Sequence, residues 1–118
     1  MVPYMLPSCM VEVREYLDRD GRSPDADWFD RLNKEAAVKV AAALARIQQG
    51  NLSNAKSVGS GVYEYRIHFG LGFRIYFGQD GEQLVILVGG GTKKRQQQDI
   101  STAQVRWQDY KRRKGTGR

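Results

Sequence analysis

The residues best suited to chemistry lie in one stretch, GVYEYRIHFGLGFRIYFG, at positions 61–78. It contains two arginines, Arg66 and Arg74, among aromatic and aliphatic residues, with His68 between them. A guanidinium group binds phosphate oxygens in pairs and does not lose its charge near neutral pH. Imidazole titrates near neutrality, so His68 is a candidate proton donor or acceptor. Two arginines on one rigid surface therefore predict phosphate recognition.

The same stretch reads as two β-strands joined by a short glycine-bearing link. Successive side chains of a strand point to opposite faces, so the hairpin has one apolar and one polar face. The polar face carries Glu64, Arg66, His68, Arg74 and Tyr76. We expect helices to cover the apolar face and leave the polar face open, where Tyr76 is a candidate for stacking on RNA bases. The alternative is a solvated face on which Arg66 simply pairs with Glu64.

The register of this hairpin follows from burial. A three-residue loop at 70–72 pairs Phe69 with Phe73 and keeps the polar side chains together. A two-residue loop would bury the arginines among phenylalanines, which is too costly. The predicted register gives two more neighbours on the polar face: Arg66 with Tyr76, and His68 with Arg74.

The remaining patterns predict an α+β domain of order β-α-β-β-β-α. A strand at 9–17 precedes a helix that starts at Ser23 and Pro24 and ends before Gly50. Positions 51–61 read as a polar loop, strands follow at 62–69, 72–78 and 84–89, and the triple glycine at 89–91 reads as a flexible corner before a helix from position 96. We expect one antiparallel sheet with helices packed on one face, a single domain over 1–118, and flexible ends at 1–8 and 113–118.

Composition limits the class of protein. The chain has 118 residues, 41% of them hydrophobic, and no apolar run of membrane-spanning length. Cys9 is its only cysteine, which excludes an internal disulfide and a multi-cysteine zinc site and fits the cytoplasm. We predict neither a metal nor a cofactor.

Positive charge gathers at the C-terminal end. Positions 92–118 hold nine basic residues against two acidic ones, although the whole chain carries only +6. This predicts a polyanionic partner such as RNA, with an acidic protein or a solubilising tail as alternatives. The candidate RNA contacts outside the hairpin are Lys56, Arg95, Arg112 and Arg113, although a loop lysine such as Lys56 is more often only solvated.

Two segments, EYRIHFGLGFRIYF at 64–77 and GGGTKKRQQQDI at 89–100, carry a resemblance to a known family. Over about residues 11–112 the sequence resembles the addiction-module killer proteins. These are a branch of the RelE/ParE toxin superfamily often grouped with HigB-type toxins. The resemblance implies a RelE-like fold and a toxin held inactive by a small antitoxin of HigA-like, DNA-binding type. It also implies entry into the ribosome and cleavage of mRNA by the RNA's own 2′-hydroxyl, without a metal.

Carried over by position, the resemblance makes Arg74 the main phosphate binder and Arg66 a second cation. Lys93 and Lys94 fall where relatives supply a cation near the leaving group, and the sequence does not choose between them. The sequence departs from the pattern twice, with Glu64 in place of a lysine and Ile100 in place of a tyrosine. Glu64 as base, or His68 as acid or base, are therefore further candidates.

Two other functions remain open. A ParE-like toxin would inhibit DNA gyrase or another topoisomerase by binding, with no nuclease activity, and the shared fold does not separate the two. A plain nucleic-acid-binding module is less favoured, because no helix-turn-helix pattern is evident.

Overall fold

A computed structural model describes residues 10–116. The predicted flexible end at 1–8, together with Cys9 and residues 117–118, lies outside the described residues. The elements in chain order are β1 (Glu12–Glu15), α1 (Pro24–Asp30), α2 (Lys34–Gln48), β2 (Ala55–Ser57), β3 (Val62–Ile67), β4 (Phe73–Gln79), β5 (Leu84–Thr92), a 3₁₀ turn (Lys93–Arg95) and α3 (Gln96–Thr116). Residues 10–116 thus form an α+β structure with one more helix and one more strand than predicted.

The first helical region divides in two. Its start is confirmed, because the Ser23 hydroxyl accepts a hydrogen bond from the amide of Ala26 at 2.9 Å and Pro24 follows at the first position. The prediction of one continuous helix is wrong, since α1 ends at Asp30 and α2 begins at Lys34. Asn33 then caps α2 by accepting from the amide of Ala36 at 2.8 Å. Asparagine favours this cap because its side chain satisfies an amide that lacks a helical partner.

The five strands form one sheet in the order β1-β5-β4-β3-β2. The pairs β2-β3, β3-β4 and β4-β5 are antiparallel, as predicted for the meander β3-β4-β5. The expectation of a wholly antiparallel sheet is wrong, because β1 runs parallel to β5. Parallel pairing is possible here because the long connection from β1 through both early helices lets the chain return in the same direction. The short β2 lies within the predicted polar loop 51–61.

The predicted hairpin register is shifted by two residues. Ile67 pairs with Phe73 and Arg66 pairs with Arg74, so the loop spans 68–72. A shift of two residues keeps each side chain on its face, which is why burial alone did not decide between the registers. The predicted neighbours are wrong in both cases: Arg66 lies across from Arg74, and His68 belongs to the loop.

Helices α1 and α2 pack on one face of the sheet. Val40, Ala43 and Ile47 of α2 form a core with the sheet residues Tyr65, Ile75, Phe77, Val85 and Leu87. Trp28 of α1 packs against the same core. Val40, Ala43 and Ile47 recur at intervals of three and four residues, so one stripe of α2 faces the core.

Helix α3 packs against the side chains that alternate with that core. Its Ala103 and Trp107 contact a second buried cluster, composed of Tyr16, Val62, Tyr76, Ile86 and Val88. Trp107 is a core residue, since only 4% of it is exposed. The expectation that the polar face lies open is wrong, because Glu64, Arg74 and Tyr76 are all buried.

The triple glycine belongs to β5 and is not a corner. A Cβ on Gly90 would lie 2.5 Å from ring atoms of Trp28, and one on Gly91 would lie 2.0 Å from a carboxylate oxygen of Asp99. Glycine is therefore required where α1 and α3 approach the strand closely. Among the helices of residues 10–116, none has both the length and the apolar character needed to cross a bilayer.

Candidate nucleic-acid-binding site

The buried carboxylate of Glu64 organises the polar side of the hairpin. It accepts hydrogen bonds from Gln96 Nε2 at 2.8 Å, Tyr76 Oη at 3.1 Å and Arg66 Nε at 3.2 Å. Burial acts to raise the pKa of Glu64, but these hydrogen bonds and the charge of Arg74 lower it below its ordinary value. Glu64 is therefore a fixed negative charge near neutral pH and a poor general base.

Arg74 lies inside the protein and does not face solvent. Only 6% of the residue is exposed, and its Nη1 donates to the carbonyl of Gly72 at 2.8 Å. Its Nε lies 3.5 Å from Glu64 Oε2 and has no hydrogen-bond partner among residues 10–116. The residue expected to be the main phosphate binder is thus held by Glu64 and by its own hairpin loop. Through these contacts Arg74 can hold Glu64 and the hairpin loop in place.

Arg66 keeps partial access to solvent. Its side chain is 39% exposed and sits directly across the hairpin from Arg74. Two like charges in such a cross-strand pair repel one another. The carboxylate of Glu64 lies near both guanidinium groups and offsets this repulsion. Arg66 is therefore the hairpin arginine that can contact a ligand.

Lys56 joins Arg66 on this surface. The sequence placed it in a loop, but it lies in β2, paired with Glu64 on β3, and it is exposed. Directly paired residues of antiparallel strands project to the same face. Lys56 on β2 and Arg66 on β3 thus lie on either side of Glu64, and both reach solvent. The sequence had favoured a lysine that is only solvated.

The other predicted catalytic cations lie around the hairpin loop. The amide of Lys93 donates to the carbonyl of Gly72 at 3.1 Å, which ties the 3₁₀ turn to the loop beside Arg74. Lys93 and Lys94 are both exposed. His68 is exposed in the loop and is not part of the Glu64 hydrogen-bond network.

Tyr76 is not available for base stacking. It is completely buried, and its hydroxyl donates to Glu64. Burial, followed by the charge of Glu64, raises its pKa. Tyr76 therefore stays protonated, and its role is to hold the carboxylate of Glu64.

The predicted RNA contacts of the C-terminal helix divide between two other places. Arg112 and Arg113 both bind Asp109, at 2.5 and 2.8 Å, and Arg113 also donates to the carbonyl of Leu17. The two ion pairs lie within α3, and the bond from Arg113 to Leu17 joins α3 to the segment after β1. Arg95 lines a separate cavity at the end of β5. The described contacts bring none of these three residues into the Glu64 network.

Sequence reasoning missed Gln96, which donates the shortest hydrogen bond to Glu64. No signal in the QQQ run at 96–98 distinguishes it from its neighbours. Within the described residues, no group of three or more His, Cys, Asp and Glu side chains is placed to hold a metal ion.

Comparison with known proteins gives two matches. Residues 27–108 match the family described as "Phage derived protein Gp49-like (DUF891)". The chain belongs to this family. The Gp49-like family is RelE/toxin-like, and its members are typically toxins paired with an antitoxin. An uncharacterized protein of Haemophilus influenzae is 40% identical over 79 residues, which is 66% of this chain and 80% of that protein.

Proposed function

We propose that this Gp49-like protein is the toxin of a type II toxin–antitoxin pair, a HigB-like member with a RelE-like fold, and that it acts on RNA. The observation that carries the proposal is the ionised Glu64 beneath two exposed cations, Lys56 and Arg66. The carboxylate holds the guanidinium groups of Arg66 and Arg74, and the solvent-exposed parts of Lys56 and Arg66 are accessible to a polyanion. The surface thereby supports binding of an RNA backbone.

The proposed reaction is cleavage of mRNA on the ribosome without a metal. The 2′-oxygen of one nucleotide attacks the adjacent phosphorus, and the bond from phosphorus to the 5′-oxygen breaks. A base takes the 2′ proton, and an acid donates a proton to the leaving oxygen. Arg66 and Lys56 would stabilise the extra negative charge on phosphorus, with Lys93 or Lys94 near the leaving group.

His68 is the best remaining candidate for proton transfer. Glu64 has a lowered pKa, and Tyr76 has a raised one, so neither exchanges protons readily near neutral pH. His68 is exposed in the hairpin loop, which also contains Gly72, the residue that Lys93 contacts. Arg74 and Glu64 then act as positioning residues in this scheme.

The same pKa shifts favour a second candidate function. Neither Glu64 nor Tyr76 exchanges protons readily near neutral pH, so the Glu64 network itself offers no general acid or base, which suits a protein that only binds. The second candidate is therefore a ParE-like toxin that inhibits DNA gyrase or another topoisomerase without cutting nucleic acid.

The proposed partners follow from the charge of this surface. A small HigA-like antitoxin would neutralise the toxin by covering Lys56 and Arg66 with acidic side chains. The freed toxin would meet the ribosome and mRNA in the cytoplasm.

The test is expression of the free protein in bacteria, with Arg66→Ala and a matched control. Arg46 is exposed on α2, away from the Glu64 network, so Arg46→Ala removes the same charge elsewhere. We expect growth arrest and mRNAs cut within codons for the wild type and for Arg46→Ala, and at least tenfold fewer cuts for Arg66→Ala. Growth arrest with intact mRNA and a DNA-damage response would favour the topoisomerase function. Normal growth would contradict both.

A further inference from the structure

A second cationic region lies at the end of β5. Pairing with β1 stops at Leu87, so within residues 10–116 the segment 88–92 has a neighbouring strand only on the β4 side. A cavity of about 360 Å³ opens there between α1 and α3. This volume lies within the range of small-ligand sites. The cavity is not part of the Glu64 network.

Three arginines from different elements line this cavity: Arg31 after α1, Arg95 in the 3₁₀ turn, and Arg106 in α3. Arg106 is held by a hydrogen bond from Nη1 to the carbonyl of Val88 at 2.9 Å. Within residues 10–116, none of the three arginines forms an ion pair within 4.0 Å, although Asp99 lines the same cavity. The site therefore has a surplus of positive charge and unused guanidinium donors.

The rest of the lining also suits an anion. Thr92 and Thr102 contribute hydroxyl groups, and the glycines at 89–91 also line the cavity. The ring of Trp28 lies beside Gly90 at the cavity wall. A tryptophan at this place can contact a nucleobase and report its binding through fluorescence.

We propose that this cavity binds a phosphate group, carried by a free nucleotide or by an RNA chain. A phosphate offers more oxygens than a carboxylate and so satisfies more of the guanidinium donors at once. The carboxylate already present, that of Asp99, leaves the arginines without an ion pair. The inference goes beyond the proposed function, because it requires neither ribosome nor cleavage.

The experiment measures binding of three probes to the purified full chain: inorganic phosphate, adenosine monophosphate and a short unstructured RNA. The variant is Arg31→Gln with Arg95→Gln, both at exposed positions. The control is Arg22→Gln with Arg46→Gln, also exposed, which removes the same charge outside the cavity. We expect the cavity variant to bind the probe at least tenfold more weakly than the wild type, and the control to bind it with an affinity within twofold of the wild type. A thermal melt verifies that both variants fold.

The probes separate the sources of the phosphate. Adenosine monophosphate binding that depends on the cavity arginines supports a free nucleotide, whereas dependence seen only with RNA supports a chain. For RNA, we also expect the affinity of the variant to depend less on salt. The slope of log K against log salt concentration should be shallower by about 0.7 for each phosphate that the variant no longer neutralises. Equal binding by variant and control would overturn the proposal. Binding of polyglutamate but of no phosphate probe would assign the cavity to an acidic protein segment and also overturn it.

One further variant distinguishes this inference from the proposed function. Arg66→Ala should leave adenosine monophosphate binding unchanged, because Arg66 does not line the cavity. Loss of nucleotide binding in Arg66→Ala would contradict a separate site. Loss of RNA cleavage with unchanged nucleotide binding would support two separate sites, with cleavage assigned to the Glu64 surface.

Discussion

Replacing Glu64 with glutamine removes one buried charge at nearly constant shape. The amide can still accept from Gln96 and Tyr76 through the oxygen that replaces Oε2, while its NH₂ group faces Arg66, which is exposed enough to turn toward water. Arg74 has no such outlet, because its side chain is only 7% exposed. The main cost is therefore one buried guanidinium that loses its counter-charge.

Breaking a buried ion pair costs about 3–5 kcal/mol. We expect about 3 kcal/mol for Glu64→Gln, since Arg66 regains solvation, and a melting temperature lower by roughly 10–15 °C for a domain of this size. Glu12→Gln is the matched control. The Glu12–Arg14 pair is 57% and 60% exposed, and such pairs contribute about 0–1 kcal/mol.

Urea unfolding followed by circular dichroism measures both variants. The lowered pKa of Glu64 means that its stabilisation is present above its ordinary pKa and is lost as pH falls through the lower, folded-state value. The difference between wild type and Glu64→Gln should therefore shrink in acid. Combining Glu64→Gln with Arg74→Met should cost less than the sum of the single changes. A Glu64→Gln variant within about 0.5 kcal/mol of the wild type, the level of an exposed pair, would refute this reasoning.

Two further predictions concern the region around α1 and β5. Burial raises the pKa of Asp25 to about 7, so its charged form is disfavoured in the folded state; Asp25→Asn should raise the free energy of unfolding by about 1–3 kcal/mol at pH 8 and by little near pH 4. Urea titrations across that range check this against the exposed control Asp27→Asn, and a gain that does not depend on pH would contradict it. Gly90→Ala should cost about 1–3 kcal/mol, because its Cβ would meet the Trp28 ring. Gly115→Ala, with nothing within 4 Å, should leave the thermal melt unchanged or higher, and equal melts for both alanine variants would argue against close packing at Gly90.

Local patterns predicted much of the fold. The Ser23–Pro24 start, the stripe of α2 and the alternation along β3 and β4 depend on neighbouring residues only, and all three are present. The break at Asn33 was missed because the apolar residues Phe29, Leu32 and Ala36 keep helical spacing across it and alanine-rich sequence follows it. The cap that restarts α2 is a single side-chain contact.

The burial of the polar face was also missed, although the sequence contains a signal for it. The run LVILV at 84–88 is apolar at every position, which is typical of a strand covered on both faces. Helix α3 has its own apolar stripe, and that stripe needs a surface to cover. Together these two features favour a sheet enclosed on both sides where β5 passes.

The site itself could not be predicted from local patterns, because it is formed by contacts between distant parts of the chain. The cross-strand position of Lys56 required β2, which is only three residues long and lies in polar sequence. The hydrogen bond from Gln96 to Glu64 joins residues 32 positions apart. Arg74 was correctly placed on the same face as Glu64, but its exposure depended on where α3 begins.

The most direct test of the proposed chemistry is the structure of the RNA ends left by the purified protein on ribosomes carrying mRNA. Attack by the 2′-hydroxyl predicts a 2′,3′-cyclic phosphate on the upstream fragment and a 5′-hydroxyl on the downstream one. Intact mRNA under these conditions, or a 5′-phosphate at the cut, would contradict the account.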